Sequence, residues 1–395
     1  MSDDELGQLR TYEDINERIR SGKVVVVTAE EMLNIIERNG PEDAAEIVDV
    51  VTTGTFGAMC SSGAFLNIGH SDPPIRIQRA TLNRVPVFCG LAAVDMYVGA
   101  TELRPGPLGK HWEGAYGGGH VIEALVKGEA VDIHAEGEPS DCYPRSKVDG
   151  KVRLADVNQA YLLNPRNAYQ NYAVATNSTD RTLYTYMGKL LPRFGNANFA
   201  TAGHLSPLLK DPRLRTIGIG TRIFLGGAPG MVIGEGTQFN TKAEKNSKGL
   251  PITPSRTLAV TGDLKAMSPR YLQGVTMTGY GVSLAVGLGV PIPILDMDIL
   301  QSLATTDADI SARIFDYGVG ARSRPSLGEV TYEQLRSGSI ELNGKKVRTS
   351  PLTSLSRSRE VAEQLKRWIE TGQFLLSPPA HRLPDDRESK PMGVR

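Results

Sequence analysis

The chain has 395 residues, and its 44 Lys plus Arg balance 44 Asp plus Glu, so the formal charge is zero. Nucleic-acid binders carry a surplus of cations and disordered acidic proteins a surplus of carboxylates, so this balance argues against both classes. The sequence contains no apolar run of about 18 residues, and the first ten residues, MSDDELGQLR, lack an apolar core. We therefore expect neither a membrane span nor a secretory signal. Three cysteines in this length predict a reducing cytoplasm rather than a disulfide framework.

The N-terminal region predicts helices that alternate with short strands. Thr11 and Thr28 are each followed three residues later by an acidic residue and then by spaced apolar residues, as at helix N-caps. Val24–Val27 and Glu46–Val51 are apolar enough for buried strands. This alternation favours a mixed fold, α/β or α+β, although it leaves the strand order unknown.

The later elements are predicted with the same rules. The segment from Thr52 to Gly63, TTGTFGAMCSSG, has no helical or strand period and predicts a loop. Short apolar pieces in 217–236 predict strands with tight turns, and 296–317 is expected to be partly helical. Apolar residues at helical spacing predict a C-terminal amphipathic helix that ends at Gly372; they are Val361, Leu365, Trp368 and Ile369.

No linker divides the chain before its tail. We therefore predict one large globular body over residues 1–376. Residues 377–395 are polar and Pro-rich, which predicts a disordered tail.

The sequence lacks the usual nucleotide and metal motifs. No G-x-G-x-x-G or Walker-type glycine loop is present, and none of the six histidines has metal-ligand spacing. The three glycines at 117–119 have two interpretations, a backbone cradle for an anion or a tight turn.

The three cysteines differ in their surroundings. Cys89 lies in the apolar run VPVFCGLAAV and is expected to be a buried, inert thiol. Cys60 and Cys142 lie in polar segments, CSSG and DCYPR, where reactive thiols are found. His70 follows Cys60 by ten residues and is a candidate for lowering a thiol pKa. No C-x-x-C pair is present, which disfavours a thioredoxin-like centre.

Four arginines are candidates for a bidentate contact with a substrate carboxylate because they lie in polar or glycine-rich segments: Arg76, Arg145, Arg166 and Arg222. For any one of them, a surface ion pair is the alternative.

Several long motifs resemble the archaeal and bacterial homocysteine-biosynthesis family. They include VDVVTTGTFGAMCSSGAFLNIGHSDPPIR, YGGGHVIEALVKGEAVDIHAEG, DCYPR, LNPRNAYQNYAVATNS and TIGIGTRIFLGG, and the match extends over about residues 10 to 380. Many members of that family carry C-terminal CBS domains, which this sequence does not show.

The resemblance implies an L-aspartate semialdehyde sulfurtransferase, which inserts reduced sulfur into aspartate semialdehyde to give L-homocysteine. It implies that residues 1–376 are the catalytic domain, that Cys142 carries a persulfide and that Cys60 resolves it or helps to cleave its S–S bond. A ferredoxin-like protein is then expected to supply electrons. His70 and Asp72 are candidates for substrate binding and proton transfer because they lie close to the cysteine motif.

Two other interpretations remain open. Cys60, Cys89 and Cys142 are candidate ligands of a [4Fe–4S] cluster with one open iron, although their spacing is not the compact ferredoxin one. A non-catalytic protein that delivers sulfur within an assembly is the other alternative, and a homo-oligomer is left open.

Overall fold

The computed structural model describes residues 9–107 and 112–393. The acidic N-terminal stretch up to residue 8 and the histidine at 111 lie outside the described residues. The helices are α1 (Tyr12–Arg20), α2 (Ala29–Asn39), α3 (Pro41–Ile47), α4 (Gly118–Val126), α5 (Pro207–Lys210), α6 (Met297–Leu303), α7 (Tyr332–Arg336) and α8 (Leu355–Glu370).

The strands outnumber the helices and are mostly short. They are β1 (Val26–Thr28), β2 (Val50–Thr52), β3 (Thr55–Ala58), β4 (Gly63–Asn67), β5 (Arg79–Leu82), β6 (Val85–Val87), β7 (Asp95–Gly99), β8 (Val131–Glu136), β9 (Lys147–Val152), β10 (Gln159–Asn167), β11 (Val174–Thr176), β12 (Leu183–Thr185), β13 (Gly188–Leu190), β14 (Asn196–Phe199), β15 (Arg222–Leu225), β16 (Ala228–Glu235), β17 (Leu258–Asp263), β18 (Leu272–Met277), β19 (Gly281–Gly289), β20 (Pro291–Pro293), β21 (Ser311–Asp316), β22 (Ser326–Thr331), β23 (Ser339–Leu342) and β24 (Lys345–Pro351).

The central element is a nine-stranded sheet in the order β18-β19-β15-β16-β17-β10-β4-β7, with β3 also paired to β19. All of its strand pairs are antiparallel. The buried side chains on one face of this sheet form the largest apolar core, together with α4 and the small sheet β6-β5-β8-β9. Strand β19 is buried along its whole length, which explains its continuous apolar sequence.

A second sheet of six strands, β22-β21-β11-β14-β24-β23, contains both parallel and antiparallel pairs. A third, β1-β2-β20, pairs the N-terminal strands in parallel and packs against α8. The prediction of a mixed α/β body is confirmed.

The predicted helix starts are confirmed because they rest on local chemistry. The side chains of Thr11 and Thr28 accept hydrogen bonds from the backbone N–H groups three residues on. The backbone N–H groups of both threonines in turn donate to the carboxylates of Asp14 and Glu31. The C-terminal amphipathic helix is α8, and its apolar face is buried.

Two local predictions of secondary structure were wrong, and so was the prediction of a disordered tail. Residues Thr55–Ala58 inside the predicted loop form β3, because β19 offers them a partner 230 residues away in sequence. Residues 46 and 47 belong to α3, since Pro41 after the Gly40 cap starts a new helix instead of a strand.

The tail is docked over residues 377–388 instead of disordered. Leu383 is buried in the main core, and the backbone of Ile219 bonds to His381 and Ala380. The two terminal residues, 394 and 395, lie outside the described residues.

Candidate active site

A cavity of about 570 Å³ contains Cys60 in its wall, at the turn between β3 and β4. Small-molecule sites commonly have volumes of about 300–1,000 Å³, so this cavity is large enough for a metabolite. Its other walls come from the C-terminal end of β10 and the segment after it, the turn between β12 and β13, and β18. The cavity is therefore built between the nine-stranded sheet and the small hairpin β12-β13.

The Cys60 thiol is half-buried and fixed by its neighbours. The hydroxyl of Ser283, which is fully buried on β19, donates to Cys60 Sγ at 3.4 Å. The hydroxyl of Ser61 donates to the carbonyl oxygen of Arg166 at 3.2 Å. These contacts fix the turn that carries the thiol to both β10 and β19.

The glycines at 117–119 allow α4 to start in close contact with the sheet. A Cβ at Gly118 would lie 1.8 Å from the Gly99 carbonyl oxygen, and one at Gly119 would lie 2.1 Å from the Ser283 carbonyl oxygen. The Gly118 and Gly119 N–H groups already donate to the carbonyls of Glu102 and Ala100, at 2.9 Å each. The structure therefore favours the tight turn over the anion cradle.

Of the four arginines predicted to bind a substrate carboxylate, Arg166 is the one that lines the cavity. Its Nε is buried and has no hydrogen-bond partner. Cys60, Tyr169 and Tyr280 line the same cavity, and the positive charge of Arg166 partly offsets the rise in the pKa of both tyrosines. A buried donor without a partner is rare. Because Arg166 also lines the cavity, its guanidinium is the candidate to bind a carboxylate there.

Tyrosines form most of the aromatic surface of the cavity. The ring centroids lie 5.2 Å apart for Tyr169 and Tyr172, 6.4 Å for Tyr172 and Tyr186, and 6.3 Å for Tyr186 and Tyr280. Burial raises the pKa values of Tyr169, Tyr172 and Tyr280 above the usual range of a phenol. These hydroxyls thus remain protonated near neutral pH and act as hydrogen-bond donors.

Cys142 lies elsewhere, on an exposed loop between β8 and β9. Tyr143 beside it stacks on His70 with ring centroids 5.9 Å apart. The guanidinium of Arg145 donates to the backbone oxygen of Asp72 at 2.7 Å. We call this group of exposed loops, residues 68–78 and 137–146, the loop patch; exposed Arg76 also belongs to it.

The loop patch and the cavity lie at different ends of β4. Cys60 precedes β4 by three residues, whereas His70 follows it by three. Five strand residues span roughly 13–17 Å at about 3.3 Å each. Cys142 is not among the residues that line the cavity. The structure therefore brings Cys60 and Arg166 together, brings Cys142, His70, Asp72, Arg145 and Arg76 together, and separates the two groups.

Two predicted residues lie outside both groups. Arg222 donates to the carbonyl of Leu375 at 3.0 Å, and its guanidinium lies 4.7 Å from the centroid of the Phe374 ring. These contacts fix the C-terminal segment to β15. Cys89, which was predicted to be buried, is only half-buried against the main core, and burial raises the pKa of its thiol.

The three thiols do not form one ligand set in this arrangement. Over residues 9–107 and 112–393, no group of three or more His, Cys, Asp or Glu side chains lies close enough to hold a metal ion. We therefore derive no step through an iron–sulfur cluster, and the cluster stays a prediction. No described helix is both long enough and apolar enough to cross a bilayer.

Sequence reasoning missed the tyrosines and Ser283. The motifs NAYQNY and LYTYMG place tyrosines close together within otherwise polar segments, and that density was the available signal. Ser283 lies in an apolar strand, so nothing in the sequence marks it as a partner of a cysteine more than 200 residues earlier.

Comparison with known proteins identifies the family. A chain from Methanosarcina acetivorans, named L-aspartate semialdehyde sulfurtransferase, is 50% identical over 97% of this chain and 74% of its own length. One from Methanocaldococcus jannaschii with the same name is 49% identical over 97% of this chain and 75% of its own length. An uncharacterized protein from Methanothermobacter thermautotrophicus is 30% identical over 84% of this chain and 73% of its own length. No solved structure matches.

The family model described as "Homocysteine biosynthesis enzyme, sulfur-incorporation" matches residues 24–376, which include the cavity, Cys60 and the loop patch. The chain therefore belongs to the homocysteine biosynthesis enzyme family that incorporates sulfur.

Proposed function

We propose that this chain is an L-aspartate semialdehyde sulfurtransferase, which inserts reduced sulfur into the aldehyde to form L-homocysteine. The family match and the names of two relatives at 50% and 49% identity support the assignment. The observation that carries it in the structure is the shared cavity of Cys60 and Arg166, a thiol beside a cation whose Nε has no partner. The substrate has a matching pair of groups, an aldehyde and a carboxylate.

The reaction needs electrons from outside this chain. One aldehyde, one hydrogen sulfide, two electrons and two protons give one thiol and one water. If the sulfur comes from a persulfide, two more electrons and two more protons are needed to cleave the S–S bond. We propose that a ferredoxin-like protein supplies the electrons. A reducing cytoplasm is part of this proposal because thiol chemistry requires it, and the oligomeric state stays a prediction.

Arg166 and two tyrosines of the cavity have defined roles in the proposal, and they place the aldehyde beside Cys60. Arg166 holds the substrate carboxylate by charge-assisted hydrogen bonds, which fixes the aldehyde relative to Cys60. The protonated hydroxyls of Tyr169 and Tyr280 donate to the carbonyl oxygen, so that negative charge on this oxygen is stabilised as sulfur adds to the carbon. Uptake of two electrons and two protons, with loss of that oxygen as water, then gives the thiol.

Cys142 has a separate role. Because it is exposed, it is reachable by a protein that donates sulfur, and we propose that it carries the persulfide. Reduction of that persulfide by two electrons and two protons returns the Cys142 thiol and releases hydrogen sulfide. His70 and Asp72 lie in the same loop patch as Cys142, and proton transfer by either residue stays a prediction.

An anaerobic assay of homocysteine formation tests these roles with two sulfur sources. Cys60→Ser is expected to abolish product formation with inorganic sulfide and with a protein persulfide donor. Cys142→Ser is expected to retain activity with sulfide and lose it with the persulfide donor. Mass spectrometry of the loaded wild type should find one added sulfur atom on the Cys142 peptide. Cys89→Ser, in a thiol outside both groups, is the matched control.

Three outcomes would count against the proposal. Full activity of Cys60→Ser with both sources would remove the cavity thiol from the reaction. Equal loss in Cys142→Ser with both sources would contradict the division of roles. Homocysteine that never exceeds the background without protein would favour the alternative of a non-catalytic sulfur-delivery protein. Iron analysis of the anaerobically purified protein tests the cluster alternative in the same preparation.

A further inference from the structure

A second cavity, of about 850 Å³, lies on the opposite side of the segment that follows β10. Its lining contains six cationic and three acidic side chains: Arg213, Arg215, Lys245, Lys248, Arg256 and Arg382, with Asp298, Asp309 and Asp385. The chain as a whole is neutral, so this concave surface concentrates positive charge locally. Field lines focus in such clefts, which attracts anions.

Several of these cations are available to a ligand. Within the part of the chain that the structure describes, neither Lys245 nor Arg382 forms an ion pair, and both are exposed. Arg256 has a largely buried side chain and bonds to Asp385 at 3.0 Å, but Asp385 is 85% exposed. Arg213 bonds to Asp298 at 3.2 Å, and both side chains are 58% exposed. Such exposed pairs are weak and exchange easily for a stronger anion.

The two cavities share a wall. Tyr169 and Tyr172 line the cavity of Cys60, whereas Gln170 between them lines the basic cavity. Gln170 Nε2 donates to the carbonyls of Leu208 at 3.0 Å and Pro212 at 2.8 Å, so the wall is bonded to α5 and to the segment after it. A ligand in the basic cavity therefore contacts the segment that presents the tyrosines to the substrate.

We propose that the basic cavity binds a small molecule with two or more linked phosphoryl groups. Arginine forks and lysine ammonium groups match phosphate oxygens. Among the described residues, Lys245 and Arg382 have no ion-pair partner, and the exposed pairs of Arg213 and Arg256 can exchange. A multivalent anion can therefore engage more of these cations than one monovalent carboxylate can. The acidic side chains in the lining reduce the net positive charge but do not cancel it. This site is separate from the sulfur chemistry, so the proposal does not depend on the proposed function.

Calorimetric titration of the full chain with pyrophosphate, tripolyphosphate and ATP at constant low ionic strength tests the site. Saturable binding of at least one of them is expected. In the double variant Lys245→Glu/Arg382→Glu, Kd should rise about tenfold or more, because two contacts become repulsive. Asp385→Asn should lower Kd, since Arg256 then loses its competitor. The double variant Lys23→Glu/Lys346→Glu makes the same charge change on exposed lysines outside this lining and should leave Kd within about twofold of the wild type.

The outcomes separate recognition of the phosphate chain from recognition of a nucleoside. ATP that binds more tightly than tripolyphosphate identifies a nucleotide site, and equal affinities identify a site for the phosphate chain; either supports the proposal. No saturable binding of any of the three overturns it. An equal change of Kd in the two double variants also overturns it, because the effect is then one of overall charge. Unchanged thermal unfolding midpoints show that the variants are folded.

Discussion

Replacement of Arg166 tests the substrate contact in the cavity most directly. Its guanidinium lines the cavity that contains Cys60, and its Nε has no partner inside the protein. A hydrogen bond to a charged group contributes about 1.5–3 kcal/mol, and each 1.4 kcal/mol is a factor of about ten. Arg166→Gln is therefore expected to lower kcat/KM for aspartate semialdehyde by about 10- to 150-fold. Arg166→Lys keeps the charge but not the fork and should lose less.

The assay measures initial rates of homocysteine formation with sulfide and a reductant while the aldehyde concentration varies. The loss should appear mainly in KM, because the carboxylate is the same in the ground state and the transition state. The aldehyde 3-aminopropanal lacks the carboxylate, so wild type and Arg166→Gln should convert it at equal rates. Arg79→Gln, at a side chain 82% exposed in a surface ion pair with Glu136, is the control. A loss that persists with 3-aminopropanal would refute the assigned contact.

Three further variants test the supporting structure. Ser283→Ala removes the hydroxyl that donates to Cys60 Sγ. It is expected to change the rate at which iodoacetamide alkylates Cys60 and to lower turnover about fivefold, with an unchanged unfolding midpoint. An unchanged rate of alkylation would contradict this prediction. Gly119→Ala places a Cβ 2.1 Å from a carbonyl oxygen and should lower the free energy of unfolding in urea by about 1–3 kcal/mol. Gly234→Ala adds a Cβ in open space and should lower it little. Equal losses would be inconsistent with the close contact. Burial opposes the charge of His204, but hydrogen bonds to Asp307 and Glu30 raise its pKa. Its contribution to stability is therefore complete below about pH 6.5 and falls as the pH rises through the raised pKa. The difference in unfolding free energy between wild type and His204→Gln should shrink over that range.

The sequence was informative wherever short-range chemistry decides the structure. The capping boxes at Thr11 and Thr28 and the apolar face of α8 depend on residues within one or two turns, and all three are found in the structure. Strand β3 was missed because a strand in the middle of a sheet is stabilised by its partner, and β19 lies far away in sequence. The docked tail was missed for the same reason, since one buried leucine and a few backbone bonds stabilise a polar segment.

The candidate site divides in the same way. The motifs indicated Cys60, Cys142 and Arg166, because glycine-rich and polar surroundings mark residues that are not needed for a core. The motifs did not indicate which of these residues share a cavity. That depends on β4, a strand of five residues between Cys60 and His70, and the direction of β4 is set by its pairing with β7 and β10. Arg222 shows the converse limit: it lies in a similar glycine-rich segment, but its guanidinium is used to fix the C-terminal segment to β15.

The separation of Cys142 from the cavity restricts how sulfur reaches the aldehyde. If the persulfide sulfur attacked the aldehyde directly, the loop of residues 137–146 would have to leave its contacts, including the Arg145 bond to Asp72 and the stacking of Tyr143 on His70. Reductive release of hydrogen sulfide needs no such movement, because a small neutral molecule diffuses to the cavity. The two routes also differ in electron order, since release uses two electrons before the carbon–sulfur bond forms, whereas direct attack uses them afterwards. A non-reducible crosslink that ties the loop to its neighbours would therefore abolish direct attack and leave release intact.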